Sequence, residues 1–366
     1  MVRRPTVYDV AERAGVSIAT VSFTFRQPHR VKPSTKENVL TAAKELGYVP
    51  SGNARGLARG RTGALGIYSY DYYSLGARPD DGDAVGADGA GGPAGDASNA
   101  DLRLFPVYVD EVQRGVALEC RRRGYTLIVS GGSQANSETA FADIAGQVDG
   151  LAMFPRSVSD HVLERISKMI PVVEFSERPH SDTVSGVTCD NAGGMRRLTE
   201  HLISTHGFED LQFVGPARIF PDALARYEGF QSQLRSSGLK ELREPLVADE
   251  GKPGWSEKVA DTLLAQESLP AALVCAQDEI ALGIMGELAA RGISVPGQIA
   301  VTGFDGIAAG LISRPPLTTI RQPMELMGRT AVGILLDRFE HPETPARSQE
   351  LPVQLIVRES CGCLTA

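Results

Sequence analysis

The sequence predicts a two-lobed α/β body preceded by a small all-α head, and three observations predict it. From Leu65 onward, strand-like runs alternate with helical ones, the pattern of parallel sheets covered by helices. Eight such strands over about 300 residues exceed one comfortable sheet, so two lobes are expected. Charge divides the chain near the same place. Residues 1–61 carry 11 Lys/Arg against 4 Asp/Glu, a net +7, whereas the remaining 305 residues carry 26 basic and 41 acidic side chains, a net −15. A short basic head on a large acidic body is the split expected of a nucleic-acid-binding module joined to something else.

The head reads as three short helices and a conditional fourth. Thr6 with Asp9 three residues on is an N-terminal capping signal, and Val7, Val10, Ala11 and Ala14 follow at helical spacing. Gly15 stops that helix, since it takes the left-handed conformation a tight turn needs. Ser17 caps the second helix, Ile18 to about Arg26. Helix, glycine turn, helix is the helix-turn-helix layout, whose second helix enters the major groove of DNA. Pro33 and Ser34 open the third helix, Ser34 and Glu37 read as a capping box, and Gly47 ends it. Ala11, Val21, Val39, Ala43 and Leu46 are the expected core. Gly52, Gly56 and Gly60 each cost on the order of 1 kcal/mol of helix stability relative to Ala, so a fourth helix there is frayed when alone. The expected domains are a head over 1–50, a hinge or linker over 51–61 and a body over 64–366.

In the body, strands are expected at Leu65–Tyr70, Thr126–Ser130, Gly150–Phe154, Pro171–Phe175, Gly186–Cys189, Leu211–Gly215, Ala271–Ala276 and Ile299–Phe304. Helical runs between them include Val112–Arg123, Gly193–His206, Tyr227–Ser236, Glu257–Gln266 and Ile280–Arg291. Residues 76–101 hold 7 Gly, 7 Ala and 6 Asp in 26 positions, with Val85 as the one large apolar side chain. Such a segment buries too little to offset its ordering entropy, and a disordered insert is expected, as a lid or a tolerated surface insertion.

Several function classes are excluded at this level. No run of 18 or more apolar residues exists, so no membrane helix is expected. The N-terminal MVRRPTVYDVAERAGV lacks an apolar core, so no secretory signal is expected. The five cysteines (Cys120, Cys189, Cys275, Cys361, Cys363) are odd in number and mostly far apart, which suits a reducing cytoplasm. Cys361 and Cys363 form a C-x-C with no further ligand expected nearby, and His201 and His206, at i and i+5, do not suit one metal. Neither a metal nor a cofactor is expected. There is no G-x-S-x-G, Walker A, HExxH or strand-following G-x-G-x-x-G, so no catalytic residues are assigned.

The stretches TVYDVAERAGVSIATVS (Thr6–Ser22) and KENVLTAAKELGYVPSGNARGLARGRTGALGI (Lys36–Ile67) open an ordered series. VDGL (Val148–Leu151), GGMRRLTEHLISTHGF (Gly193–Phe208), ARYEGF (Ala225–Phe230), AQDEIALG (Ala276–Gly283), VTGFDG (Val301–Gly306), PPLTTIRQP (Pro315–Pro323) and RESCGC (Arg358–Cys363) follow. Together they resemble the lactose-repressor-like (LacI/GalR) family of bacterial transcription regulators, over nearly the whole chain except residues of about 75–103. The resemblance implies a type I periplasmic-binding-protein core of two lobes with three crossovers, an effector in the cleft, and a cytoplasmic homodimer that represses transcription from a near-palindromic double-stranded operator. Ile18, Ala19 and Thr20 would meet base edges, with Ser17 and Ser22 on phosphates. Thr6, Asn53 and Arg55 are further candidate DNA contacts. Phe23 stands where the family usually has Arg, and Arg26 where it often has Asn, so a different half-site is expected. Phe23 either packs on a thymine methyl or belongs to the head's core. Leu57 matches the family's minor-groove wedge, the alternative being a linker without DNA contact.

Ligands of open α/β sheets bind beyond the carboxyl ends of strands. Asp71, Asp190, Asp278 and Asp305 each follow an expected strand, and Arg226 lies at an expected helix start. The family uses the Arg226 and Asp305 positions to hold polar groups of its ligands, a pairing that suits adjacent hydroxyls. Trp255, the sole tryptophan, is expected in a loop as a stacking face for a sugar. Asp278 is expected to be a helix N-cap instead. Gln277 replaces the family's Asn and Gly306 its second Asp. Both departures touch the pocket, so beside a sugar, which remains the first expectation for the effector, a nucleobase, nucleoside or other small metabolite stands as an alternative. Two other classes compete: a sugar-binding transport receptor, opposed by the DNA-binding head, and a hydrolase using an Asp pair, which a turnover assay decides.

Overall fold

The computed structural model describes residues 5–48 except 27, 61–70, 107–132, 137–155, 157–175, 182–216, 221–239, 243–249 and 254–364. The expected hinge helix, the insert at 76–101 and the candidates Asp71, Asn53, Arg55 and Leu57 lie outside them. The chain forms two units, Met1–Gly63 and Ala64–Ala366.

In the first unit, α1 (Val7–Ala14), α2 (Ile18–Arg26) and α3 (Pro33–Leu46) pack around Val10, Ala11, Ala14, Val21, Val39, Ala42 and Ala43. Thr6 and Asp9 form the expected capping box, and Gly15 takes φ 63° to turn the chain into α2. Ser17 Oγ accepts the Thr20 N–H at 3.1 Å and caps α2. The capping box expected at Ser34 and Glu37 does not form. Lys32 is the N-cap and makes no side-chain cap, while Pro33 is the first helical residue. A proline there has no N–H to satisfy, and its φ is already helical.

The second unit holds two six-stranded sheets. The first contains β1 (Ala64–Tyr70), β2 (Thr126–Gly132), β3 (Leu151–Met153), β4 (Val172–Phe175), β5 (Val184–Cys189) and β11 (Ser348–Leu351), in the order β11-β5-β4-β3-β1-β2, all parallel. The second contains β6 (Leu211–Pro216), β7 (Leu246–Ala248), β8 (Ala272–Cys275), β9 (Ala300–Asp305), β10 (Thr318–Arg321) and β12 (Gln354–Ile356), in the order β12-β10-β9-β8-β6-β7. Only β12 in that sheet runs antiparallel to its neighbour.

Helices cover both faces of each sheet, as parallel sheets require. In the first lobe, α4 (Val107–Arg123) and α12 (Met324–Glu340) bury Val112, Val116, Met327 and Leu335 with Leu65 and Ile67 of β1. The alternate β1 residues Ala64 and Tyr68 pack with Phe141 of α5 (Ser137–Ala145) and Val162 of α6 (Asp160–Ser167). In the second lobe, α7 (Asn191–His206) and α8 (Pro221–Ser236) supply Met195, Leu198 and Phe230 against Phe213 and Phe304. The opposite face takes Val259 and Leu263 of α9 (Trp255–Leu264) and Ile280 and Ile284 of α10 (Asp278–Ala290), with α11 (Ala308–Ile312) after β9. The chain crosses between lobes three times, after β5, after β10 and between β11 and β12.

All eight expected strands are present, within one or two residues at their ends. Four more, β7, β10, β11 and β12, escape the sequence pattern. β11 is exposed at three of its four positions, and β10 sits between prolines, so neither shows a buried alternation.

Candidate functional sites

The head presents α2 as its candidate nucleic-acid face. Ser17, Ile18 and Ala19 are exposed, while Thr20 and Ser22 are half-buried. The Ser17 and Thr20 hydroxyls lie 2.9 Å apart, which orders the first turn of the helix. Asn38 Nδ2 donates to the Ala14 carbonyl at 2.8 Å, and Arg13 pairs with Glu45 at 2.7 Å, so α3 braces the turn from behind. Phe23 is 41% exposed, with the Arg30 guanidinium 5.6 Å above its ring. The reading of Phe23 as a core residue is corrected: the positions that fill the core are Val21 and, one turn on, the half-buried Phe25. The Arg26 side chain lies outside the described residues.

The second site forms where the first two crossovers meet the carboxyl ends of β8 and β9. Arg226, in the second turn of α8 rather than at its start, is 3% exposed. Its Nε donates to Asn191 Oδ1 at 2.9 Å and its Nη1 to the Ala276 carbonyl at 2.6 Å. Nη1 also pairs with Asp305 Oδ1 at 3.2 Å, and the guanidinium stacks 3.9 Å from the centre of the Phe304 ring. Gln322 Nε2 donates to the same Asp305 oxygen at 2.6 Å, and the Cys189 thiol donates to Gln322 Oε1 at 3.1 Å. Cys189 and Asn191 flank the first crossover and Gln322 belongs to the second. A single polar network therefore joins the two connections between the lobes to the Arg226–Asp305 pair.

Electrostatics at this point are strong because water is excluded. Burial pushes the Asp305 carboxyl above the usual range, opposed by the Arg226 guanidinium and the Gln322 amide. Burial also pushes the Cys189 thiol up, so it stays a neutral donor. Asp305 has φ 125°, the sole non-glycine residue with positive φ among the described residues. Backbone strain of this kind persists only where surrounding contacts hold it, and it concentrates at functional sites.

Other candidates fall into different places. Asp190 is the N-cap of α7, accepting the Gly193 N–H at 2.8 Å and pairing with Arg197 at 3.1 Å. Gln277 is the N-cap residue of α10 and makes no side-chain cap. Asp278, expected as an N-cap, is instead the first helical residue and fully buried. Its Oδ2 accepts the N–H groups of Gly306 and Ile307, and Oδ1 accepts the Thr319 hydroxyl. It thus anchors the turn after β9, because a carboxylate at the first helical position points back over the neighbouring strand end. Trp255 is not in a loop: it opens α9, half-buried. A Cβ on Gly283 of α10 would lie 2.6 Å from the indole Cη2, so the ring rests on the bare backbone of that helix.

Asn191, Gln322 and Cys189 were not singled out by sequence reasoning. For Cys189 and Asn191 the available signal was position, since Cys189 ends the expected strand β5 and Asn191 lies two residues beyond it; Gln322 follows β10, which the sequence pattern did not reveal. The expectation that no further ligand type lies near Cys361 and Cys363 is corrected. His201 and His206 do share one point, their rings 5.2 Å apart, and Cys361 and Cys363 lie beside them. The two histidines share one helix, and the last segment of the described chain brings the two cysteines to its end.

Comparison with known proteins agrees with this architecture. A family model described as bacterial regulatory proteins, lacI family, matches residues 6–51, and one described as a periplasmic binding protein-like domain matches residues 199–361. The chain is 28% identical to the HTH-type transcriptional repressor PurR of Vibrio parahaemolyticus over 360 residues, covering 97% of this chain and 98% of that one. It is 29% identical to PurR of Haemophilus influenzae over 365 residues, with 97% and 98% covered. Among solved structures, a complex of the transcriptional regulator CelR with cellobiose superposes with TM-score 0.64 at 28% identity, covering 98% of this chain and 100% of that one. The lac repressor dimer bound to operator and the anti-inducer ONPF superposes with TM-score 0.76 at 24% identity, covering 99% and 100%, a likeness of fold. A helix-turn-helix head on a two-lobed α/β core defines an effector-responsive regulator. The head carries the helix-turn-helix domain of the lacI family, the body a periplasmic-binding-protein-like domain, and PurR repressors are homologues over nearly the whole chain.

Proposed function

We propose that this chain is a homodimeric transcriptional repressor whose affinity for a near-palindromic operator is set by a sugar bound between its lobes. The observation that carries the reading is the buried network of Arg226, Asp305, Asn191 and Gln322. It joins two interlobe crossovers to the strand ends where α/β ligands bind. A ligand that favours one network geometry over another shifts the lobe arrangement by its difference in affinity. Charged groups within reach of adjacent hydroxyls suit a polyol, and the CelR neighbour was solved with cellobiose. Ile18, Ala19, Thr20 and Phe23 read bases, and Ser17 and Ser22 contact phosphates. Two heads are needed because one small module buries too little surface for specificity.

The test is a thermal melt against panels of sugars, sugar phosphates and nucleobases, followed by Trp255 emission. A ligand of the native state raises the melting temperature by mass action. One sugar class is expected to do so and to change operator affinity in a fluorescence anisotropy titration. Arg226→Lys keeps a buried cation but loses the two-pronged geometry, and is expected to lose the sugar-dependent shift. Arg226→Ala also costs roughly 3–5 kcal/mol of stability, since it strands the Asp305 carboxylate. A shift confined to nucleobases overturns the sugar reading and leaves the cleft in place.

A further inference from the structure

The end of the chain brings two histidines and two cysteines to one point in the second lobe. His201 and His206 occupy the last two turns of α7, with His206 its final residue. Cys361 ends the short 3-10 turn Glu359–Cys361, and Cys363 follows after Gly362. His201 Nε2 lies 3.7 Å from Cys361 Sγ and 3.6 Å from Cys363 Sγ, and His206 Nε2 lies 3.4 Å from Cys363 Sγ. One ligand atom from each of the four residues falls within 4.8 Å of every other. Zinc bonds of about 2.3 Å to sulfur and about 2.0–2.1 Å to nitrogen, set at tetrahedral angles, separate S from N by about 3.6 Å. The three measured S···N distances bracket that value.

We propose that His201, His206, Cys361 and Cys363 form a Cys2His2 site for one structural zinc ion, which clips the C-terminal segment to the end of α7. The donors are the types zinc takes, and four protein ligands leave no open position for substrate. Outer partners are present as well. His201 Nδ1 lies 3.2 Å from the Thr205 hydroxyl, which leaves Nε2 for the metal, and the Thr318 hydroxyl donates to Cys361 Sγ at 3.2 Å. Such contacts fix the orientation of the ligands. Phe208 stacks on the His206 ring at 5.2 Å, holding it in place. Gly362, at φ 102°, lets two cysteines only two residues apart reach the same point. The α7 carboxyl terminus adds the negative end of a helix dipole beside the cation.

The experiment uses the full chain, purified under reducing conditions and stripped of metal, titrated with Co(II) and then Zn(II). One Co(II) per chain is expected, with the visible bands of a tetrahedral site and thiolate-to-cobalt charge transfer, all displaced by one Zn(II). Zinc is expected to raise the melting temperature. Cys363→Ser and His206→Ala alter half-buried positions, and circular dichroism reports whether they fold. In each folded variant zinc affinity is expected to fall at least ~100-fold, the upper range already reached by outer-shell changes at metal sites. An octahedral cobalt spectrum, unchanged affinity in both variants, or a Cys361–Cys363 disulfide with no zinc uptake in thiol-containing buffer overturns the proposal.

Discussion

Asp278 is fully buried and anchors a turn 28 residues away through two backbone N–H groups. Burial, and then the neighbouring Asp305, push its carboxyl from 3.8 up to about 7. The folded chain therefore holds a proton that the unfolded chain has released. The stability this gives is full below 3.8 and is lost as pH rises through about 7. Asp278→Asn keeps an acceptor for Gly306 and Ile307 without a titrating charge. Its melting temperature is expected to vary less than the parent's across that interval, and parallel melting curves would contradict the assignment. At the head, the exposed Phe23 has no hydrogen bond to offer a base. Phe23→Arg supplies a bidentate donor for guanine, a contact worth about 1–3 kcal/mol of discrimination. Binding-site selection on the variant is expected to return a half-site changed at the pairs beneath residue 23, and an unchanged half-site would remove Phe23 from the interface.

Helix packing in the first lobe depends on two glycines. A Cβ on Gly115 of α4 would run into the Glu325 carbonyl, and one on Gly328 of α12 into that of Val112. The two backbones touch, so Gly328→Ala must drive the helices apart, at a cost of about 1–3 kcal/mol or more. Gly333 lies on the same helix with no heavy atom within 4 Å of where its Cβ would stand. Gly333→Ala is expected to stabilise by roughly 0.5–1 kcal/mol, because only the helix propensity changes. Urea unfolding of both variants should give shifts of opposite sign. Equal shifts would contradict a direct backbone contact between α4 and α12.

For the whole molecule, the proposed function assigns DNA to the basic head and the effector to the acidic body. A dimer is expected by analytical ultracentrifugation at working concentration, with two heads per operator. If the pair of heads neutralises about 6–10 phosphates, operator affinity falls about 10³–10⁵-fold between roughly 50 and 200 mM salt. A weak salt dependence would place the head's charge off the phosphate backbone. Binding of a monomer to a single half-site with full affinity would refute the symmetric arrangement.

Much of this architecture is written locally in the chain. The Thr6–Asp9 box, the Gly15 turn, the eight principal strands and the order of the motifs follow from spacing, because helix and strand periods and cap chemistry act over a few residues. The charge division likewise needs no coordinates. Strand order decided the rest. Asn191, Arg226, Asp305 and Gln322 meet only because the chain crosses twice between sheets at that point. Asp278 became an anchor through the turn after β9, and the Trp255 ring found the bare backbone of α10 at Gly283. Cys361 stands beside His201, 160 residues earlier, because the last segment returns across the end of α7. Proximity over such separations is set by which elements share a buried core, and no local period encodes it.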